Sequence, residues 1–339
     1  MVVRFNPFIL LYLIMSFSTL LRISRPRFWH YVLGPMLIYF ASSWYFENIQ
    51  SSFSSWGTDR IVDLIIMIIV LWYFTLPANL WIYGWNDIAD GDTDKFNSKK
   101  WTYESKIEDS ESMKKKLKWN IWWWNIWYII IWSLIIWWTE QYQRNIITAE
   151  TWPIPWWPIP TIIFLIFSII CLFIFLLTSY LYSCRPLRAK AKPFIDGITN
   201  VLYIAAPFSI ILISNIWTYT YNLTLITYNF FAALLRCMAM HCYSAILDIE
   251  PDRQAWLITT AVYLGKDKSL IYCGLLYLLS ALLSFPTLWW FSIIWWIVYL
   301  SMILLSYKRQ DIFWLYKLFP YINLIIWFLL FRYIILYIS

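Results

Sequence analysis

An apolar run at 61–82 leads directly into the stretch Tyr83-Gly84-Trp85-Asn86-Asp87-Ile88-Ala89-Asp90-Gly91-Asp92-Thr93-Asp94. Asn86, Asp90 and Asp94 recur at every fourth position, so a helix that continued from the run would carry them along one stripe. A second acidic stretch, Asp248-Ile249-Glu250-Pro251-Asp252, follows the apolar run at 223–246. Carboxylates that face each other need a cation between them, and hard oxygen ligands favour Mg²⁺. The pattern predicts a Mg²⁺ site whose ligands are Asn86, Asp90, Asp94, Asp248 and Asp252.

The competing interpretation is that these acids are ordinary solvated residues beside membrane helices. Two acidic clusters in equivalent places, after two apolar runs, make that interpretation the less favourable one. Asp87 and Asp92 point off the stripe, and we expect these two to be solvated or to cap the helix.

The composition is that of a membrane protein. Of 339 residues, 61% are hydrophobic and 13% are charged, and the mean hydropathy is +0.60. A soluble chain carries about a quarter charged residues, so this composition argues against a soluble enzyme and excludes a disordered chain. The five cysteines form no CxxC pair, and we expect neither a disulfide framework nor a zinc site. No nucleic-acid partner is expected, because the net charge of +7 comes from short loops between apolar runs.

The apolar runs predict an all-α, polytopic membrane helical bundle with about nine transmembrane helices. The candidate spans are 31–48, 61–82, 119–139, 160–182, 197–214, 223–246, 269–285, 287–306 and 319–338. We expect one membrane-embedded domain over 1–339, in which 1–30 is an interfacial segment. With the N-terminus inside, 22 Lys and Arg lie on the inner side and two outside. The positive-inside rule therefore places polar loops at about 83–118, 183–196 and 247–268 in the cytoplasm.

The loop after the fourth span carries cations on the same side as the acidic clusters. It reads Tyr182-Ser183-Cys184-Arg185-Pro186-Leu187-Arg188-Ala189-Lys190-Ala191-Lys192-Pro193. Such cations fit a diphosphate clamp. The positive-inside rule alone explains them about equally well for any single residue. His241 lies just before the second acidic stretch, where a lone histidine is more often a satisfied polar residue than a base.

These motifs resemble those of the UbiA superfamily of intramembrane prenyltransferases. The superfamily's NDxxDxxxD motif is matched by Asn86, Asp87, Asp90 and Asp94, and its DxxxD motif by Asp248 and Asp252. The segment Arg22-Ile23-Ser24-Arg25-Pro26-Arg27-Phe28-Trp29 and the loop from Tyr182 to Arg188 look like further superfamily segments. The run from Met238 to Gly265 is similar to the lycopene elongase branch, which adds prenyl units to the ends of a carotenoid.

The resemblance implies the function and the roles of the residues. It implies a Mg²⁺-dependent transfer of an allylic group from a prenyl diphosphate, with dimethylallyl diphosphate as donor and lycopene or a related carotenoid as the lipophilic acceptor. The catalytic residues would be Asp90, Asp94, Asp248 and Asp252, and the substrate-binding residues would be Tyr182, Arg188, Lys190 and Tyr243. The expected location is a prokaryotic-type cell membrane, with the active-site loops facing the cytoplasm.

Two alternatives remain open at this point. Within the superfamily, the acceptor could be a quinone precursor, another aromatic compound or a glycerol phosphate lipid. From another class, the chain could be a transporter, since carboxylates inside membranes mark ion pathways. Carriers bind their substrates near the bilayer midplane, whereas these carboxylates cluster at helix ends, which favours the enzyme.

The chain has 26 Trp and only 7 Gly, where average usage of about 7% would give roughly 24 Gly. Trp256 stands where the lycopene elongase branch has Gly. One hypothesis is that some of these positions are Gly in the native protein, encoded by UGA codons that its source reads as Gly. The alternative is a protein that is truly rich in Trp, with aromatic belts at the membrane interfaces.

Overall fold

A computed structural model describes residues 14–41, 68–69, 71–91, 94–97, 110–149, 158–202, 205, 223–309 and 312–337. Within these ranges the regular structure is helical, as the sequence predicts. The longer helices are α1 (Phe17–Ile23), α2 (His30–Ala41), α3 (Leu76–Ala89), α4 (Glu111–Ala149), α5 (Pro158–Ser183), α6 (Leu223–Ala245), α7 (Ile249–Gln254), α8 (Thr260–Leu288), α9 (Trp290–Lys308) and α10 (Phe313–Tyr337).

Four helical stretches among the described residues are long and apolar enough to cross a membrane. They are Thr227–Gln254, which runs from α6 through the following turn and α7, then Thr260–Leu288, Trp290–Lys308 and Phe313–Ile334. The predicted number of about nine spans is not confirmed. The candidate spans at 31–48, 61–82 and 197–214 each extend outside the described residues. Large apolar side chains on the outer helix faces, such as Phe173 and Phe328, are exposed, as expected for surfaces in contact with lipid.

The helices form two packed groups around the polar loops. In one group α6 packs along α8, α8 along α9, and α10 against α2. In the other, α3 packs against α1, α4 and α5. The approach of α3 to α4 is close at Gly84, where an added Cβ would lie 2.7 Å from Cδ1 of Ile121. A larger residue at position 84 would have to displace the side chain of Ile121.

Arg236 is a buried charge in the first group, only 3% exposed. Its Nη2 donates to the hydroxyl of Tyr299 at 2.8 Å, and that hydroxyl donates to Oδ1 of Asn323 at 2.5 Å. Its guanidinium lies 4.1 Å from the ring centroid of Trp327. A hydrogen-bonded guanidinium on an aromatic ring is a tolerated form of buried charge, so this network links α6, α9 and α10.

The helix boundaries at the acidic motifs differ from the prediction. Helix α3 ends at Ala89, and Asp90 is its C-cap. The chain then turns so that the amide of Asp94 donates to the carbonyl of Asp90 at 2.8 Å. The prediction of a continuous helix through Asp94 was therefore wrong. Asp94 instead begins a short 3₁₀ turn.

The predicted polar loop at 247–268 is largely helical. A 3₁₀ turn (Ile246–Asp248) and α7 follow α6 directly. Helical structure already begins at Thr260, nine residues before the predicted start, where Thr259 caps it by accepting from the amide of Val262 at 3.2 Å. The helix α8 is interrupted at Gly265, whose φ of 73° is not helical. Regular structure thus fixes the positions of the second acidic motif.

Candidate active site

A cavity of about 250 Å³ brings the two acidic motifs together. The predicted metal ligands all line it, and they are Asn86, Asp90, Asp94, Asp248 and Asp252. Tyr182 and Lys190 also line it, as the sequence predicts for residues that bind substrate. Residues far apart in the chain therefore meet at one polar site.

Asp90 is the centre of this polar site and is buried. Nζ of Lys190 forms an ion pair with Oδ1 of Asp90, and Nδ2 of Asn86 donates to its Oδ2. Nη2 of Arg188 lies 3.8 Å from the same Oδ1. Lys190 is itself buried, and Arg188 is partly exposed. The two cations therefore lie directly beside the first acidic motif.

Asn97 connects the two acidic motifs, and sequence analysis did not identify it as a site residue. Its Nδ2 donates to Oδ1 of Asp248 at 2.9 Å across 151 positions of the chain. Its place three residues after Asp94 was the only signal in the sequence. Because this amide holds the carboxylate of Asp248 toward the cavity, Asn97 acts as a positioning residue.

The oxygen donors around the cavity suit Mg²⁺. Among the residues that the structure describes, no three His, Cys, Asp or Glu side chains form a ready-made metal cluster. Mg²⁺ does not need one, because it typically binds one or two carboxylates and takes its other ligands from water and substrate phosphates. Hard carboxylate and amide oxygens from both motifs line one cavity, and this donor set fits that mode of binding.

Asp87 was expected to be solvated or to cap a helix, and this expectation was wrong. Asp87 is only 4% exposed, and its Oδ1 lies 2.6 Å from Nη2 of Arg25. Arg25 is also buried, and its guanidinium lies 4.7 Å from the ring centroid of Tyr83. The reason is tertiary: the segment before α2 contacts α3, which places a guanidinium beside Asp87. Asp92 lies outside the described residues.

Tyr243 was expected to bind substrate, but the structure places it in the helical core. Its hydroxyl lies 2.8 Å from Oγ of Ser306, and its ring packs 4.8 Å from that of Phe319. It is buried and does not line the cavity. A tyrosine on a transmembrane helix satisfies its hydroxyl in this way when a neighbouring helix offers a partner. Its position beside the second motif gave no information about the direction of its side chain.

The cavity lining also includes apolar and aromatic residues. Among them are Phe28, Tyr31, Val32, Ile82 and Met240. Phe28 and Tyr31 stack with their ring centroids 5.6 Å apart. The lining therefore combines charged with apolar side chains, a combination that suits an amphipathic ligand with a phosphate head and a hydrocarbon tail.

Asp196 is a further cavity residue that sequence analysis missed. It stands alone in its segment, so no spacing pattern marks it. The five cysteines are free thiols, as predicted. Burial raises the pKa of the Cys184 thiol, beside the polar site, to about 11. Cys184 is therefore a neutral thiol at physiological pH rather than a nucleophile.

A solved structure of a UbiA homolog from Archaeoglobus fulgidus, bound to DMAPP and Mg²⁺, has the same fold. The TM-score is 0.51 at 16% identity, and the match covers 93% of this chain and 98% of that one. No protein-family model matches the chain. The helical fold is thus that of the UbiA prenyltransferases, a class of integral membrane enzymes.

Relatives with greater sequence identity narrow the class. The lycopene elongase/hydratase of Haloarcula japonica is 30% identical over 277 residues, which are 81% of this chain and 76% of that protein. The lycopene elongase/hydratase of Halobacterium salinarum is 30% identical over 280 residues, 78% of each protein. The chain belongs to the lycopene elongase/hydratase family of UbiA-type prenyltransferases, and it is a prenyltransferase.

Proposed function

We propose that the protein transfers an allylic prenyl group from a prenyl diphosphate, with dimethylallyl diphosphate as donor, to lycopene or a related carotenoid in a Mg²⁺-dependent reaction. The observation that carries this proposal is one cavity lined by both acidic motifs, by Lys190 and by aromatic side chains such as Phe28 and Tyr31. The relatives named lycopene elongase/hydratase support the carotenoid acceptor.

The charged side chains of the cavity would bind the diphosphate. Asn86, Asp90, Asp94, Asp248 and Asp252 would hold Mg²⁺, which neutralises the charge that develops on the leaving diphosphate. Lys190 and Arg188 lie within ion-pair distance of Asp90 and would donate to diphosphate oxygens at the same place. Tyr182 also lines the cavity and would orient the diphosphate through its hydroxyl.

The apolar side chains would hold the allylic group and the end of the acceptor. Phe28 and Tyr31 present aromatic rings to the cavity, and aromatic faces stabilise a neighbouring cation. Exclusion of water by the apolar wall protects an allylic cation until the acceptor double bond attacks it. A cavity of about 250 Å³ is smaller than typical sites for drug-sized ligands, which favours a short donor.

The test is a reconstituted assay with the full chain in lipid vesicles. Purified protein receives lycopene, dimethylallyl diphosphate and Mg²⁺, and pigments and released diphosphate are analysed. We expect carotenoids that carry one and two added five-carbon units, and we expect EDTA to prevent their formation. Prenylation of an aromatic acid or a glycerol phosphate lipid instead of lycopene would refute the carotenoid acceptor. Transport without release of diphosphate would refute the enzyme.

We also propose that residues 1–339 form one domain whose polar loops face the cytoplasm of a prokaryotic-type cell. The distribution of Lys and Arg supports this orientation. Single-cysteine variants at Ser110, on the polar side, test it in intact cells with a thiol reagent that does not cross the membrane. We expect no labelling until the cells are opened, whereas labelling of intact cells would reverse the orientation.

A further inference from the structure

The buried carboxylate of Asp196 is held in one orientation by the start of α8. Asp196 is 1% exposed, and its Oδ2 accepts from the amide of Thr260 at 2.8 Å. Its Oδ1 accepts from the hydroxyl of Thr260 and, at 2.7 Å, from the amide of Gly197. With these donors in place, the carboxylate cannot rotate without losing hydrogen bonds. It therefore presents a fixed negative charge at the cavity wall.

His241 on α6 faces this charge. Its Nε2 lies 3.9 Å from Oδ2 of Asp196 and 3.5 Å from the hydroxyl of Tyr182. The rings of Tyr182 and His241 meet edge to face, with their centroids 5.7 Å apart. Asp196, His241 and Tyr182 all line the cavity, whereas the chain's other histidine, His30, does not.

The proposed reaction needs a proton acceptor. The C–O bond of the donor breaks and diphosphate leaves; the allylic cation then forms a C–C bond with an acceptor double bond, which leaves a new cation on the acceptor. This cation becomes an alkene when a neighbouring C–H bond breaks and its electron pair forms the double bond. Alternatively, it becomes an alcohol when a water molecule adds. Either outcome releases one proton.

Among the cavity residues, His241 is the candidate acceptor that has no other proposed role. Lys190 is a cation, Asp90, Asp94, Asp248 and Asp252 are the proposed Mg²⁺ ligands, and Asp196 is held by hydrogen bonds from Thr260 and Gly197. A neutral imidazole whose Nε2 faces a carboxylate gains a favourable ion pair when that nitrogen takes up a proton. In hydrolase triads an Asp also stabilises the imidazolium, although there it faces the ring nitrogen opposite to the one that takes up the proton.

We propose, on the basis of the proposed function, that Nε2 of His241 accepts the proton that the prenylated carotenoid cation releases. Asp196 acts through His241 as a positioning residue, and Thr260 holds Asp196. The proton moves from the carbon, or from the added water, to Nε2, and it leaves for solvent when the product departs. The expectation that His241 is only a satisfied polar residue is replaced by a role in determining the fate of the cation.

The test compares diphosphate release with product formation in the vesicle assay, for the wild type and for His241→Asn and His241→Gln. Ionisation of the donor precedes the proton transfer, so we expect diphosphate release to persist at a reduced rate. We expect the fraction of diphosphate releases that yield the normal prenylated product to fall at least about tenfold, in favour of isomers and of the alcohol formed when water captures the allylic cation. His30→Asn, which removes a buried histidine outside the cavity, should leave this fraction unchanged.

A second variant keeps the test decisive. Thr260→Val removes the hydroxyl that donates to Asp196 but keeps the amide, and we expect a smaller loss of product fidelity, about threefold. If either His241 variant folds and keeps the wild-type product and coupling ratio, His241 is not the proton acceptor. If both unfold, an unchanged coupling ratio in Thr260→Val refutes the His241–Asp196 arrangement. A wild type that releases diphosphate but does not prenylate lycopene refutes the proposed acceptor instead.

An independent observation concerns two tryptophans with backbone conformations that favour glycine. Trp256 follows α7 with a φ of 59° and is 92% exposed. The amide of Trp256 donates to the carbonyl of Arg253 at 3.2 Å, and the amide of Leu257 donates to the carbonyl of Asp252 at 2.8 Å. This pair of bonds is the Schellman motif, in which the residue at position 256 is usually Gly.

Trp289 lies between α8 and α9 with a φ of 46° and a ψ of −127°. This region is that of the first central residue in a type II′ turn, which Gly dominates. Arg25, Arg188 and Phe194 also have positive φ. The two tryptophans differ from these residues in further ways: Trp256 forms the Schellman hydrogen bonds, and Trp289 has the ψ of a type II′ turn. The chain also has an excess of Trp over Gly, with 26 Trp and 7 Gly. We infer that positions 256 and 289 are Gly in the protein made by its own source.

Peptide mass spectrometry of protein purified from its source tests this inference. We expect Gly at positions 256 and 289, and Trp at both would overturn it. In protein that carries Trp at both positions, Trp256→Gly and Trp289→Gly should each raise the melting temperature by about 2–4 °C. Each substitution removes the strain of a Trp backbone held at a positive φ. Trp119→Gly on the helical, exposed face of α4 is the matched control and should lower it. A lower melting temperature in the first two variants would contradict the assigned strain.

Discussion

Asp90→Asn is expected to lower prenyl transfer by at least about a hundredfold, because it removes the charge at the centre of the polar site. It is also expected to lower the free energy of unfolding by about 3–5 kcal/mol, since the buried Lys190 loses its ion-pair partner. Turnover in vesicles and thermal unfolding in detergent measure the two effects separately.

The double variant Asp90→Asn with Lys190→Met separates the two roles of Asp90. Removing both charges leaves neither one buried alone, so most of the stability should return while activity stays lost. Glu250→Gln is the matched control within the second acidic stretch. Glu250 is 64% exposed and forms a surface pair with Arg253 at 3.5 Å, so its loss should change stability by less than about 0.5 kcal/mol. Full activity in Asp90→Asn would contradict the assigned site.

Asp87→Asn is expected to destabilise the protein by about 3–5 kcal/mol, because the buried guanidinium of Arg25 would lose the carboxylate that lies 2.6 Å from its Nη2. Asp87 does not line the cavity itself; it contacts Arg25, which does, where the segment before α2 meets α3. The folded fraction of this variant should therefore retain turnover within about tenfold of the wild type, in contrast to Asp90→Asn. Thermal unfolding, together with turnover per folded molecule, measures this.

A double variant tests whether the Arg25–Asp87 pair accounts for that loss. Asp87→Asn with Arg25→Met should be more stable than Asp87→Asn alone, since the remaining charge is gone. The loss in the single variant should also depend little on salt, because a buried pair is screened much less than a surface pair. If high salt instead removed the difference in stability between the wild type and Asp87→Asn, Asp87 would lie on the surface, as the sequence pattern had suggested.

The spacing of acidic residues predicted which side chains meet in the cavity, although it predicted the wrong local structure for them. Asp94 lies in a 3₁₀ turn rather than on an extended helix, yet it still lines the same cavity as Asn86 and Asp90. The hydrogen bond from the amide of Asp94 to the carbonyl of Asp90 returns the chain toward the site. A four-residue spacing is compatible with both structures, so the pattern predicts proximity better than conformation.

The residues that the sequence misassigned are those whose roles depend on a distant partner. Asp87 pairs with Arg25, 62 positions away, and the hydroxyl of Tyr243 contacts Ser306, 63 positions away. Asn97 follows Asp94 by three residues and Asp196 stands alone in its segment, and tertiary contacts with Asp248 and Thr260 help to place them at the site. Such pairs depend on how the helices pack, which one sequence without aligned relatives does not reveal.

The sequence by itself determined that this is an α-helical membrane chain with two acidic motifs and a cationic loop. It could do so because hydrophobic runs, charge asymmetry and ligand spacing are local properties of the chain. Only the tertiary structure decided which of the polar residues line the cavity, which hold the helices together, and which face one another as His241 and Asp196 do. The reason is physical: a buried charge is stabilised by a specific partner at a few ångströms, and that partner is supplied by packing between segments far apart in the chain.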